Sequence, residues 1–227
     1  MTKFYNTVLF STLLCIALNF SYGCKTQIIA PKSNAIDTGI KTILVIPFKS
    51  ISSVYKDADE NHCPLCGKTF MTGSMPDNAV TYMTDRLIDL IGMRNDYHFI
   101  FAKHNQPDWS ASGSKPEPIV SERNFLIESG KVQHADAVLS GYIYRFKQRV
   151  GTTYSVESSA SVAFGMHIVR VPDGRMLWSG HFDETQHSLS ENLLKLGTFL
   201  KRKASWVTAE QMASSGLEDI LNTLKTP

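Results

Sequence analysis

The sequence predicts an α/β (α+β) fold, a mixed β-sheet covered by helices in the order β-α-β-α-β-β-β-α. Three observations predict it. Short apolar runs rich in β-branched residues alternate with segments of helical period. Residues 160–183 carry two strictly alternating stretches joined by a turn signal. The carboxy-terminal segment opens with a complete helix-start signature.

The first strand is "KTILVIPF" (41–48), a buried-type run closed by Pro47. A long polar loop, residues 49–76, follows and carries "HCPLCG". Asp77 is placed to cap the next helix, in which Val80, Met83, Leu87, Ile88, Leu90 and Ile91 recur at helical spacing. Gly92 and Asn95 are its stop signals. "YHFIFA" (97–102) is the second strand. Residues 103–118 hold three prolines and form a loop. A helix then runs from the cap Ser121 to about Val132, and "ADAVLSGYIYRFKQRV" (135–150) is the third strand.

The next two strands fix their own register. In "ASVAFGMHIVRV" the large apolar residues are Val162, Phe164, Met166 and Ile168; in "RMLWSGHFD" they are Met176, Trp178 and Phe182. A two-residue Asp-Gly turn would pair even positions with odd ones and turn one apolar set to the wrong face. A three-residue loop, Pro172-Asp173-Gly174, keeps even opposite even and has the expected chemistry, with Gly in the left-handed position. Trp178 then lies opposite Ile168 on the core face, and position 181 opposite 165. The tail reads as two helices. "SLSENLLKLGTFLK" (188–201) is the first. "VTAEQMASSGLEDILNTL" (207–224) is the second, with Thr208 and Gln211 as a capping box and Val207 with Met212 as a hydrophobic staple.

Ahead of this domain, residues 1–23 describe a secretory signal peptide: Lys3, then the apolar run "TVLFSTLLCIALNF", then a small-residue exit at Ser21 and Gly23. The run, broken by Ser11, Thr12 and Asn19, is short of the roughly 20 apolar residues of a membrane span. Gly23-Cys24 resembles the end of a bacterial lipobox, with Ser21 where Leu is usual, so Cys24 is the expected lipidation site. Ordinary cleavage after Gly23 is the alternative. Lys25, in place of an Asp, favours the periplasmic side of the outer membrane by analogy with enteric bacteria. The organisation expected is signal peptide 1–23, lipidated terminus and tether 24–41, and one domain 42–227. Loss of the leader removes Lys3 and no acidic residue, so the formal charge of +2 becomes +1, with no field to attract nucleic acid.

The segments "TILVIPFKS", "TDRLIDLI", "ADAVLSGYI" and "VPDGRMLWSG" together resemble a group of bacterial envelope proteins. The group includes the amino-terminal domain of TolB, the curli-secretion lipoprotein CsgG and the lipoprotein activators of penicillin-binding proteins. The resemblance covers roughly residues 42–182. It implies the fold and a non-enzymatic role, binding other envelope proteins or assembling with them.

No nucleophile elbow or phosphate-cradling glycine loop is present in the sequence. Among seven histidines, His167 and His181 share the odd face of the hairpin as diagonal neighbours, within reach of one ion, with Asp183 further along. Two solvated or helix-covered histidines are the simpler reading. "LLKLGTFLKRKASW" (193–206) is either a helix packed on the domain with a basic outer end or a membrane-surface helix, the former favoured.

Cys63 and Cys66 are the only thiols of the mature domain and admit three readings. "CPLCG" looks like one knuckle of a zinc ribbon but has no second cysteine pair, and His62 is awkwardly placed for the same ion. The spacing also matches thioredoxin-like redox motifs. There the first cysteine opens a helix just after a strand; here the strand ends some fifteen residues earlier. In an oxidising compartment a local disulfide shaping the 49–76 loop is the expectation. No cofactor other than zinc is suggested.

Overall fold

The computed structural model describes residues 39–51, 59–102, 119–152, 156–186 and 206–224. The leader, Cys24, most of the tether and the 188–201 segment lie outside the described residues. The elements are β1 (Thr42–Val45), β2 (Lys49–Ser50), β3 (Glu60–His62), β4 (Thr69–Met71), α1 (Ala79–Gly92), β5 (His98–Phe101), α2 (Ile119–Val132), β6 (Ala137–Lys147), β7 (Val150–Gly151), β8 (Val156–Ser158), β9 (Ser161–Arg170), β10 (Met176–Thr185) and α3 (Ala209–Leu221).

Six strands form one mixed sheet in the order β10-β9-β6-β1-β5, with β2 also on β6. Strands β1, β5 and β6 run parallel, as crossover helices require, and β6, β9 and β10 form an antiparallel meander. The fold class read from the sequence is the one observed.

Both faces of the sheet are covered, by different means. One face is aliphatic and aromatic: Ile43, Leu139, Ile143, Phe164, Ile168 and Trp178 pack against Met83, Leu87 and Ile91 of α1 and Met212 and Leu217 of α3. The other carries Leu44, Val138, Tyr142, Tyr144 and Val169. It is closed by Leu126 of α2 and by Cys63, Leu65 and Phe70 of the β3–β4 hairpin.

The hairpin register follows the sequence. Trp178 pairs with Ile168 and His181 with Gly165, and Gly174 takes φ +67°. One detail differs: a bulge between Met176 and Trp178 pairs Met176 with Val169 and turns it onto the second face. The loop is four residues, Val171–Gly174, and not the expected three: Arg170 N–H donates to the Arg175 carbonyl at 2.9 Å, and the bulge restores the expected register beyond it. The capping box forms as read, with Gln211 N–H donating to Thr208 Oγ1 at 3.3 Å and Thr208 N–H to Gln211 Oε1 at 3.0 Å.

Three expectations are corrected. Ser121 does not cap α2, which begins at Ile119. Asp77 does not cap α1: the N-cap is Asn78, without a side-chain bond, because the turn from Pro76 already satisfies the Ala79 N–H, which donates to the Pro76 carbonyl at 3.0 Å. Residues 49–76 also do not form a structureless loop. They contain β2 and the β3–β4 hairpin, which lies on the sheet.

Candidate functional site

The β3–β4 hairpin turns through "CPLCGK". Cys63 N–H donates to the Lys68 carbonyl at 2.8 Å and Gly67 N–H to the Cys63 carbonyl at 2.9 Å. Gly67 sits at φ +72°, a left-handed position that suits glycine. This tight knuckle points Cys63 into the sheet, where it is 1% exposed, and leaves Cys66 at the rim.

Facing the knuckle are the odd positions of β9 and β10. His167 is fully buried and His181 half-buried; their rings stand 5.5 Å apart at 72°. Cys63 Sγ lies 3.4 Å from His167 Nε2. Cys66 Sγ lies 3.3 Å from His167 Nε2 and 3.3 Å from His181 Nε2. Both imidazoles thus converge on one sulfur. Gly165, opposite His181, makes room for them: a Cβ there would come within 3.3 Å of His181 and 3.4 Å of His167. Phe70 stacks on Tyr144 at 4.1 Å and touches His181 at 5.8 Å, so the site has an aromatic wall.

The electrostatics follow from this packing. Cys63 is pushed down to about 3, first by the hydrogen bond it accepts from the Cys66 thiol and then, against the cost of burial, by His167. Cys66 is pushed up, first by that same bond and by burial, while the Lys68 backbone N–H pulls the other way. Burial, helped by Lys68 and His167, pushes His181 down to about 4, so its ring is neutral at ordinary pH. Burial and the charge at Cys63 push Tyr144 up and keep its hydroxyl protonated. The second nitrogen of His167, Nδ1, is buried without a hydrogen-bond partner.

The structure therefore brings together Cys63, Cys66, His167 and His181, which the sequence treats as two separate pairs. Cys63 and Cys66 are not joined to each other in the structure, and each sulfur faces an imidazole. Asp183 does not join them, because its carboxylate is taken by Arg145 at 2.5 Å. His62 points elsewhere, its Nδ1 3.1 Å from Thr69 Oγ1. Gly165, Phe70 and Tyr144 were not singled out from the sequence. The register did contain one sign of them, a glycine directly opposite a histidine.

Chemically, such a set can exchange protons, oxidise to a disulfide or bind a soft divalent cation. Thiol exchange with a substrate is poorly served. Cys63 is buried against the sheet, and Cys66 is the exposed sulfur of the pair.

No family model matches the chain, and the curated proteins contain no significant match. Among solved structures the fold is similar to the PelC dodecamer from Paraburkholderia phytofirmans, at 12% identity over 86% of this chain and 92% of that one, with a TM-score of 0.49. It is also similar to lipoprotein GNA1162 from Neisseria meningitidis, at 17% identity over 72% and 95% of the two chains, with a TM-score of 0.38. The LpoB C-terminal domain from Salmonella enterica matches at 15% identity over 66% and 87%, with a TM-score of 0.35. At these values the likenesses carry no argument about activity or partners.

Proposed function

We propose that this is an exported, lipid-anchored envelope protein that acts by binding or assembling with other envelope proteins and not by catalysis. The observation that carries the non-catalytic reading is burial: Cys63, the first cysteine of the pair, is 1% exposed and faces the sheet. The groove between α1 and α3 supports the same reading, since its polar groups are engaged with one another. Arg86 binds Glu218 at 2.6 Å and Ser214 at 2.8 Å, and Tyr82 Oη donates to the Glu210 carbonyl at 2.9 Å. The anchored half of the proposal rests on the leader and Gly23-Cys24, and Lys25 favours the outer membrane. Two acyl signals hold a protein on a bilayer stably, at about 0.8 kcal/mol per buried methylene.

The test is fractionation and in-cell cross-linking of the full chain expressed with its leader in a diderm bacterium. Wild type is expected in the membrane fraction, with discrete adducts to other envelope proteins. Cys24→Ala is expected to become soluble or to stay unprocessed. Unchanged membrane attachment of Cys24→Ala overturns the anchor. Insulin-reductase activity that disappears in Cys63→Ser overturns the non-catalytic role.

A further inference from the structure

We infer that Cys63, Cys66, His167 and His181 form a tetrahedral Zn(II) site that clasps the β3–β4 hairpin to the sheet.

The donor set is the first argument. Two thiolates and two imidazoles are the ligands of closed, structural zinc sites, and an S2N2 set selects zinc over the harder cations. The geometry is the second. With Zn–S near 2.3 Å and Zn–N near 2.0–2.1 Å, a tetrahedral angle puts sulfur and nitrogen about 3.6 Å apart. The three sulfur–nitrogen distances here are 3.4, 3.3 and 3.3 Å. The ligating atoms of Cys63, Cys66 and His167 all lie within 4.8 Å of one another. His181 is outside that mutual set. It reaches the same sulfur, Cys66, at 3.3 Å, so a small side-chain shift toward the common centre supplies the fourth ligand.

Charge is the third argument. Zn(II) with two thiolates and two neutral imidazoles is neutral overall. Such a centre is buried beside Phe70, Tyr144 and Leu65 at far lower cost than an uncompensated thiolate. On binding, Cys63 and Cys66 each donate a sulfur lone pair as thiolates, and any proton carried by either thiol leaves to solvent.

The topology explains how half a ribbon suffices. A zinc ribbon closes its site with a second cysteine knuckle. Here the other two ligands come from adjacent antiparallel strands, 101 and 115 positions beyond Cys66, where a diagonal His pair flanks Gly165. The site makes no use of a partner protein and does not depend on the proposed function.

The test is elemental analysis and native mass spectrometry of the full-length protein, followed by cobalt substitution of the reduced protein. One zinc per chain is expected. The cobalt form should show the visible bands of a tetrahedral centre and thiolate-to-cobalt charge transfer in the near ultraviolet. Cys66→Ser is the variant of choice, because Cys66 is exposed and its loss leaves no buried cavity. It should lose zinc affinity on the order of 100-fold or more, beyond what second-shell changes cost. His181→Ala should keep the charge transfer but alter the visible bands. A Cys63–Cys66 disulfide in the native mature protein, stoichiometric iron or copper in place of zinc, an octahedral cobalt spectrum, or wild-type zinc affinity in Cys66→Ser each overturns the inference.

Discussion

Replacing Trp178 with alanine tests the register that places both the core and the site. The indole is 6% exposed, opposite Ile168, on the face closed by α1 and α3. It lies over Gly180, where a Cβ would come within 3.0 Å of the ring, and its Nε1–H donates to Thr223 Oγ1 at 3.2 Å. An aromatic of this kind buries about 150–250 Å², which at about 25 cal/mol per Å² is worth about 4–6 kcal/mol. Measured Trp-to-Ala losses run at about 3–5 kcal/mol. Strand β10 is a sheet edge in the described structure, so the site can partly collapse. Thr223 Oγ1 also keeps a partner, the Ile220 carbonyl at 2.7 Å, so no buried group is orphaned. Both points favour the lower half, about 3–4 kcal/mol. With a urea m-value of about 2 kcal/mol per molar, the midpoint should fall by about 1.5–2 M with m unchanged. The assay is far-ultraviolet circular dichroism at equal metal loading for each variant. Trp178→Phe, which keeps most of the packing and loses the hydrogen bond, should cost about 1 kcal/mol more than the packing change alone. A Trp178→Ala loss below 1 kcal/mol would refute the burial argument.

Three further outcomes are expected. Thr208→Ala should cost about 1 kcal/mol in urea unfolding, and Thr208→Ser should restore most of it; equal losses for both would mean the hydroxyl does not cap α3. Arg145→Met removes contacts to the Met71 carbonyl at 2.7 Å, Ser161 Oγ at 2.6 Å and Asp183 at 2.5 Å, so amides of β4 should exchange about 10-fold faster while β9 is unchanged, and uniform acceleration would contradict the local role. Gly165→Val crowds both imidazoles and should weaken zinc binding about 10-fold or more, measured by competition with a chelating dye; wild-type affinity would show that the space at Gly165 is not needed.

Much of the sheet is legible because its signals are local. The alternation in β9 and β10 fixes which face most residues take, and Trp178 and His181 lie opposite Ile168 and Gly165 as expected. Thr208 and Gln211 announce α3 for the same reason. The bulge at Met176 has no such signal, since it depends on how the turn's extra residue is absorbed. The hairpin was missed because "ENH" and "TFM" are too short and too polar to show a period; they become strands by lying against Tyr144 and Tyr142. The cysteines were read as a pair because only their mutual spacing is local. Their imidazole partners are brought in by the tertiary fold, and no pattern within the knuckle points to them.

That difference in range also explains why the hairpin needs a clasp. Two paired strands of three residues each are at best marginal by themselves, yet this hairpin must cover Tyr144, Ala163 and the half of the sheet that α2 leaves open. Phe70 supplies the stacking on Tyr144. The Arg145 guanidinium holds the Met71 carbonyl, and Gly73 N–H donates to the Tyr144 carbonyl at 3.1 Å. These contacts all lie on the β4 arm. On the knuckle, Leu65 is buried against the second face of the sheet, and Arg123 of α2 donates to its carbonyl at 3.3 Å. A metal joining Cys63 and Cys66 to β9 and β10 would add its binding energy at the turn itself, and its removal should loosen the knuckle before β4 or the sheet beneath.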